Sequence, residues 1–227
     1  MLGLFALRLT ARLFVVLTCV AMVAGAAALK SEAAGSRGRA LNLIAIGDSL
    51  PYGQGDCGFC PTFVDLFGKA LSRATGRSVK VSNLSEHTGI NSSDLRAQLA
   101  ADRSLRSTVA RADAITVTIG HNDPPWNRTD DVCDGKGGYP NADWARYDDA
   151  CLTATAAVYA GNLDAMLRQV RALRTGKPTL LRVTNDYDDL IGDPQVPASA
   201  YPTAKKFFDT YTALTCRLVA LEVWLDS

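Results

Sequence analysis

Histidine is nearly missing from this chain. His87 and His121 are the only two in 227 residues. No cysteine lies between them, which excludes the mixed Cys/His spacing of a zinc site, and no metal is expected. Excess charge of one sign is missing too. The net charge is +1, without a basic stripe or an acidic tail, so nothing offers the electrostatic footprint that nucleic acid requires. Internal repeats and low-complexity runs are absent, which excludes solenoids and disordered linkers. What is present is 48% hydrophobic and 21% charged, enough for one globular domain with a core and a short extension.

The extension is N-terminal. Arg8 and Arg12 precede an apolar run from Leu13 to Leu29 that ends in small residues, followed by polar Lys30, Ser31 and Glu32. A positive start, an apolar middle and a small-residue end predict a secretory signal peptide over 1–29, hence a secreted, extracellular protein. The alternative is an uncleaved N-terminal helix anchoring the protein to a membrane. Residues 30–40 read as a linker, and 41–227 as the domain. Export permits disulfides. With Cys19 removed, Cys57, Cys60, Cys133, Cys151 and Cys216 remain, an odd set. Spacing suggests Cys57 with Cys60 and Cys133 with Cys151, leaving Cys216. Cys57 and Cys60 also admit a thiol-disulfide role, though no thioredoxin-like setting surrounds them.

The domain alternates strands and helices. Short apolar runs at Leu41–Ile46, Val79–Leu84, Ala114–Ile119 and Thr179–Thr184 read as buried strands. Helices are expected from Pro61 to Gly76, from the N-cap Asn91 onward, over Leu105–Ala112, over Trp144–Arg174, and from Thr203. Leu50–Cys60 reads as a loop. So do Gly120–Asp143, long enough to suggest a lid or pocket wall carrying Trp126, and Asn185–Pro202 with its acidic Asp186, Asp188, Asp189 and Asp193. The acidic stretch does not match a calcium loop and reads as solvated, with a rim position that would let it touch substrate. Alternation of this kind predicts an α/β fold: a three-layer α/β/α sandwich on a parallel, flavodoxin-like sheet. A fifth strand is expected after the last helix and is not among these residues.

In a parallel sheet the carboxyl ends of the strands share one rim. Three segments follow such ends: Gly47-Asp48-Ser49, Ser85-Glu86-His87-Thr88-Gly89, and Gly120-His121-Asn122-Asp123. By its position alone, Ser49 suits a helix N-cap as well as a nucleophile. Acyl transfer needs a hydroxyl nucleophile with donors aimed at the developing oxyanion. The backbone N–H groups of Ser49 and Gly89 and the Asn122 amide would supply three. Asp48, His87, His121, Asp123 and Trp126 are further candidates for the pocket.

These three blocks, in this order, resemble the GDSL or SGNH hydrolase superfamily of secreted bacterial esterases and lipases. The resemblance covers about Leu41 to Cys216. It implies a serine acylhydrolase acting on a small-molecule, lipid or glycan ester through an acyl-Ser49 intermediate, without a cofactor. It also implies an oxyanion hole of Ser49, Gly89 and Asn122. The Gly-x-Ser-x-Gly elbow of other serine hydrolases is not present around Ser49. The family's fourth block, Asp-x-x-His, occurs nowhere in the 227 residues. The absent block, the absent fifth strand and the odd Cys216 together predict a C-terminally truncated member with little or no turnover. The alternative is a non-catalytic relative that binds an ester or glycan.

Overall fold

The structure is a computed structural model that describes residues 38–53, 60–127, 133, 138–139, 142–185 and 188–224, without the side chains of 221–224. The expected signal peptide, most of the linker, Cys57, and Asp186 lie outside these residues.

Four parallel strands form one sheet in the order β2-β1-β3-β4: β1 (Leu41–Gly47), β2 (Val79–Asn83), β3 (Ala114–Thr118) and β4 (Leu180–Val183). The register sets Leu43 between Val81 and Ala114, and Ile46 beside Val117. β1 and β3 are central and almost wholly buried, while β2 and β4 are edges among the described residues and are half-exposed. A strand buried on both faces cannot alternate apolar with polar, which is why β1 reads as a continuous apolar run. Ile44, Ile46, Ile115 and Val117 share the larger core with the helices α3 (Ser92–Ala101), α4 (Arg103–Val109), α5 (Asp149–Arg174) and α6 (Tyr201–Trp224). Leu43, Ala45 and Ala114 point the other way, onto Val64, Phe67 and Leu71 of α2 (Phe63–Thr75). The result is the three-layer α/β/α arrangement expected. No helix among the described residues is long and apolar enough to cross a membrane.

Local chemistry sets the helix starts. Asn91 caps α3 as expected, accepting from the backbone N–H groups of Ser93 and Asp94, while the Asp94 carboxylate accepts from the Asn91 N–H. Thr62 and Asp65 form the same box at α2, so that helix begins at Phe63 rather than Pro61. Asp102 caps α4 and moves its start to Arg103. The long helix α5 begins at Asp149, capped by Asp148, and a separate 3-10 turn holds Trp144–Arg146. At its far end Arg174 is buried, donating to Thr179 Oγ1 and Ala110 O at 2.7 Å and to Pro178 O at 3.3 Å. That arginine anchors the turn into β4. Cys133 and Cys151 form a disulfide. Cys60 is disulfide-bonded as well. Cys216, half-buried on α6, accepts from the Asn185 amide at 3.9 Å.

Candidate active site

β1 ends at Gly47, whose φ is +153° and whose place for a Cβ lies 1.8 Å from the Thr118 carbonyl oxygen. Only glycine lets the two central strands approach this closely. The start of the loop expected over Leu50–Cys60 is helical instead, and residues 54–59 lie outside the described residues. Ser49–Tyr52 make one helical turn, α1. Its N-cap is Asp48, whose carboxylate accepts from the Leu50 N–H at 3.0 Å. The capping role open to Ser49 in the sequence therefore belongs to its neighbour, and Ser49 stands half-buried at the first helical position.

Asp48 does more than cap. It is fully buried, and its other oxygen accepts from the backbone N–H groups of Gly120 at 3.2 Å and His121 at 3.3 Å. One carboxylate thus clamps the Ser49 turn to the loop after β3. The segment after β2 is clamped to the same place. Leu84 N–H donates to Ala45 O at 2.8 Å and Glu86 N–H to Gly47 O at 3.0 Å. Asn83 donates through its amide to Pro51 O at 2.6 Å. These bonds carry the chain to Gly89, which is exposed, with a φ of +73° that an L side chain would strain.

Asn122 then closes the rim. Its Nδ2 donates to Ile90 O at 2.9 Å, which holds the amide beside the residue that follows Gly89. The same amide nitrogen has a second N–H to offer. Asp123 turns inward instead. Its carboxylate accepts from Ser92 N–H at 2.9 Å and from Ser92 Oγ, which itself accepts from Asn162 at 2.9 Å. Asp123, Ser92 and Asn162 are all buried. This network fixes the loop after β3 to α3 and α5 and leaves Asp123 no face on the pocket.

The other candidates separate. His121 is turned toward the loop after β4, its Nε2 3.5 Å from an Asp189 oxygen. His87 is exposed and stacks on Tyr52, with ring centroids 5.5 Å apart. Trp126 is not at the rim. It is 1% exposed and sits in the core among aromatic rings. Two shallow clefts lie elsewhere, about 160 Å³ between β4, α5 and α6 and about 240 Å³ beside Asp188 and α6, and Ser49 lines neither.

The acidic stretch read as solvated joins the rim loops. Besides Asp189 with His121, Asp193 accepts from the Tyr139 hydroxyl at 2.6 Å. That bond holds the Asp193 carboxyl below its ordinary value and the Tyr139 phenol above its own. Burial pushes Asp188 upward. The lowered acid favours folding above its unfolded value, and the benefit fades as pH falls through the folded value. The raised phenol favours folding below its unfolded value, until pH rises through the folded one. The tether therefore acts across the interval between them. In Tyr139→Phe the Asp193 midpoint, followed by NMR titration, should move up toward the ordinary range; an unmoved midpoint would refute the tether.

Sequence reasoning misses Tyr52 and Ile90, and it names Asp189 only as part of an acidic loop. Tyr52 had one signal, its place three residues after Ser49, concealed because the segment was read as loop. Ile90 has none, since its partner Asn122 is remote in sequence, as is the His121 that Asp189 faces.

The family model of the GDSL-like lipase/acylhydrolases matches residues 45–217, well over half of the chain. Among solved structures, the chain is similar to the lipase Lip_vut3 from a goat rumen metagenome, with 20% identity over 77% of this chain and 73% of that one and a TM-score of 0.55. It is similar also to a variant of the esterase AlinE4, with 16% identity over 81% and 75% and a TM-score of 0.50. At these identities the likeness speaks for the fold. No curated protein sequence matches significantly. With the family's model running from the end of β1 into α6 and the three blocks gathered on one rim, this chain belongs to the GDSL-like lipase/acylhydrolase family.

Proposed function

We propose that the domain is a serine ester hydrolase with Ser49 as nucleophile. Ser49 Oγ attacks the ester carbonyl carbon, and the carbonyl oxygen becomes an oxyanion facing the N–H groups of Ser49 and Gly89 and the Asn122 amide. Collapse expels the alcohol, which leaves with the serine's proton. Water then cleaves acyl-Ser49 to the acid and regenerates the hydroxyl. The observation that carries this reading is the Asp48 clamp, which ties the Ser49 turn to the loop holding Asn122.

The proton transfer is the weak step. The family's base belongs to an Asp-x-x-His block that does not occur in the 227 residues, and this reading gives that role neither to His87, stacked on Tyr52, nor to His121, beside Asp189. A general base is worth roughly 10²–10⁴-fold, while an oxyanion hole with substrate binding alone leaves about 10³–10⁴ over water. The reading is therefore a slow hydrolase of a small-molecule, lipid or glycan ester. Without a base acting on Ser49 the same site supports a second reading, a relative that binds such an ester without turnover. The Cys133–Cys151 disulfide fits an exported protein, because such bonds persist in oxidising compartments.

Hydrolysis of 4-nitrophenyl acetate and butyrate tests this. Slow turnover above buffer is expected, falling at least about tenfold in Ser49→Ala. A rate indifferent to Ser49→Ala would overturn the nucleophile. Turnover of ordinary enzymes, about 1–10³ s⁻¹, would overturn the slow reading, and no turnover at all with ester binding retained would favour the second.

A further inference from the structure

The exposed ring pair beside the serine is used by neither the fold nor the reaction above. Tyr52 is 45% exposed. It follows Ser49 by three residues in one helical turn, so the two side chains share a face at about 5–6 Å between Cβ atoms. His87 precedes Gly89 by two residues in the segment that Glu86 N–H ties to Gly47 O. The rings lie 20° from parallel. The stack thus spans the two segments whose backbone N–H groups face the proposed oxyanion. Two further exposed apolar residues belong to segments tied to this turn. Leu84, 40% exposed, directly follows Asn83, whose amide holds Pro51 O. Phe63, 39% exposed, directly follows Thr62, whose methyl lies 2.3 Å from the place of a Gly53 Cβ. Scattered exposed apolar residues are ordinary, but an exposed stacked ring pair beside a reactive serine offers a binding surface.

We propose that Tyr52 and His87 form an aromatic platform that selects esters carrying an aromatic ring next to the ester group. An aromatic ring can stack on these exposed rings, and a ring platform suits it better than a sugar, whose hydroxyls would ask for polar partners. This rests on Ser49 being the reacting residue.

Binding is measured in the full-length Ser49→Ala protein, in which esters persist, by ligand-observed NMR titration. The probes are phenyl acetate, cyclohexyl acetate and methyl tri-O-acetyl-xyloside. Cyclohexyl acetate has nearly the same size without a π face. Phenyl acetate should bind about threefold to tenfold more tightly than cyclohexyl acetate. Tyr52→Ala, checked for folding by circular dichroism, should reduce the two to equality, whereas Tyr52→Phe should keep the preference. His87→Ala should weaken it. Equal binding in the starting protein, no measurable binding of phenyl acetate, a preference for the xyloside, or a preference that survives Tyr52→Ala would each overturn the platform. The hydrolysis lost in Ser49→Ala is a separate readout, so the platform can fail while the nucleophile stands, and the reverse.

Discussion

Asp48→Ala should cost about 3–5 kcal/mol of stability, the larger part from backbone donors left without an acceptor. The carboxylate is 0% exposed and accepts from three N–H groups, those of Leu50, Gly120 and His121. A buried donor deprived of its partner costs roughly 1–3 kcal/mol, and an N-cap by itself is worth ~1 kcal/mol. The terms do not add in full, because the rim is partly open and water can enter the space vacated. Asp48→Asn keeps one acceptor oxygen but turns an NH₂ group toward backbone donors, so its loss should fall between Asp48→Ala and the unmodified protein. The damage should also reach the reaction. Ser49 and Asn122 belong to segments more than seventy residues apart, and this side chain is a clamp between those segments. Urea unfolding followed by circular dichroism gives the stability, and ester hydrolysis below the unfolding transition gives the second effect. A stability loss under about 1 kcal/mol would mean that the three donors have other acceptors, and the clamp would then be wrong.

The division between what the sequence reveals and what it conceals follows the range of each interaction. β1 and β3 are legible because full burial on both faces forces an unbroken apolar run. The Asn91–Asp94 box is legible because all its atoms lie within four consecutive residues. The glycine, serine and asparagine blocks are legible because parallel strands must bring their carboxyl ends to one rim. Asp48 is different. The sequence offers the local cap to Ser49 rather than to Asp48, and Asp48's partners Gly120 and His121 come from another strand's loop. The same holds for the acidic stretch, where Asp189 and Asp193 look like a solvated run until the loop after β3 brings His121 and Tyr139 against them. Asp123 misleads in the opposite direction. As a neighbour of Asn122 it reads as part of the pocket, yet a turn reverses its direction, with Asp123 N–H donating to Gly120 O at 2.9 Å and its carboxylate going inward to Ser92. Position beside a functional residue does not settle which way a side chain faces once the backbone stops being a strand.

Trp126 carries the second large effect. Lying in a long loop after Asn122, it reads in sequence as part of a lid or an acyl-binding wall. In the fold, Pro125–Asn127 form a 3-10 turn that drives the indole into the core. Its ring centroid lies 5.2 Å from those of Trp144 and Phe207, 5.8 Å from Tyr147 and 6.1 Å from Phe208. Trp126 is therefore the peg by which the loop after β3 is held to α6, the helix supplying Phe207 and Phe208. Trp126→Ala should cost about 3–5 kcal/mol, as the lost transfer energy of a large ring is joined by the cavity it leaves among rigid neighbours. Trp126→Phe, which retains an aromatic ring in part of the volume, should cost clearly less. Denaturant unfolding reads both. The loosened loop begins at Gly120 and includes Asn122, so hydrolysis in Trp126→Ala should decline for every ester alike. A wall of the substrate pocket would behave otherwise: Trp126→Ala would leave stability nearly unchanged and shift the preference among acyl chains. That outcome would return Trp126 to the rim and sink its role as the peg.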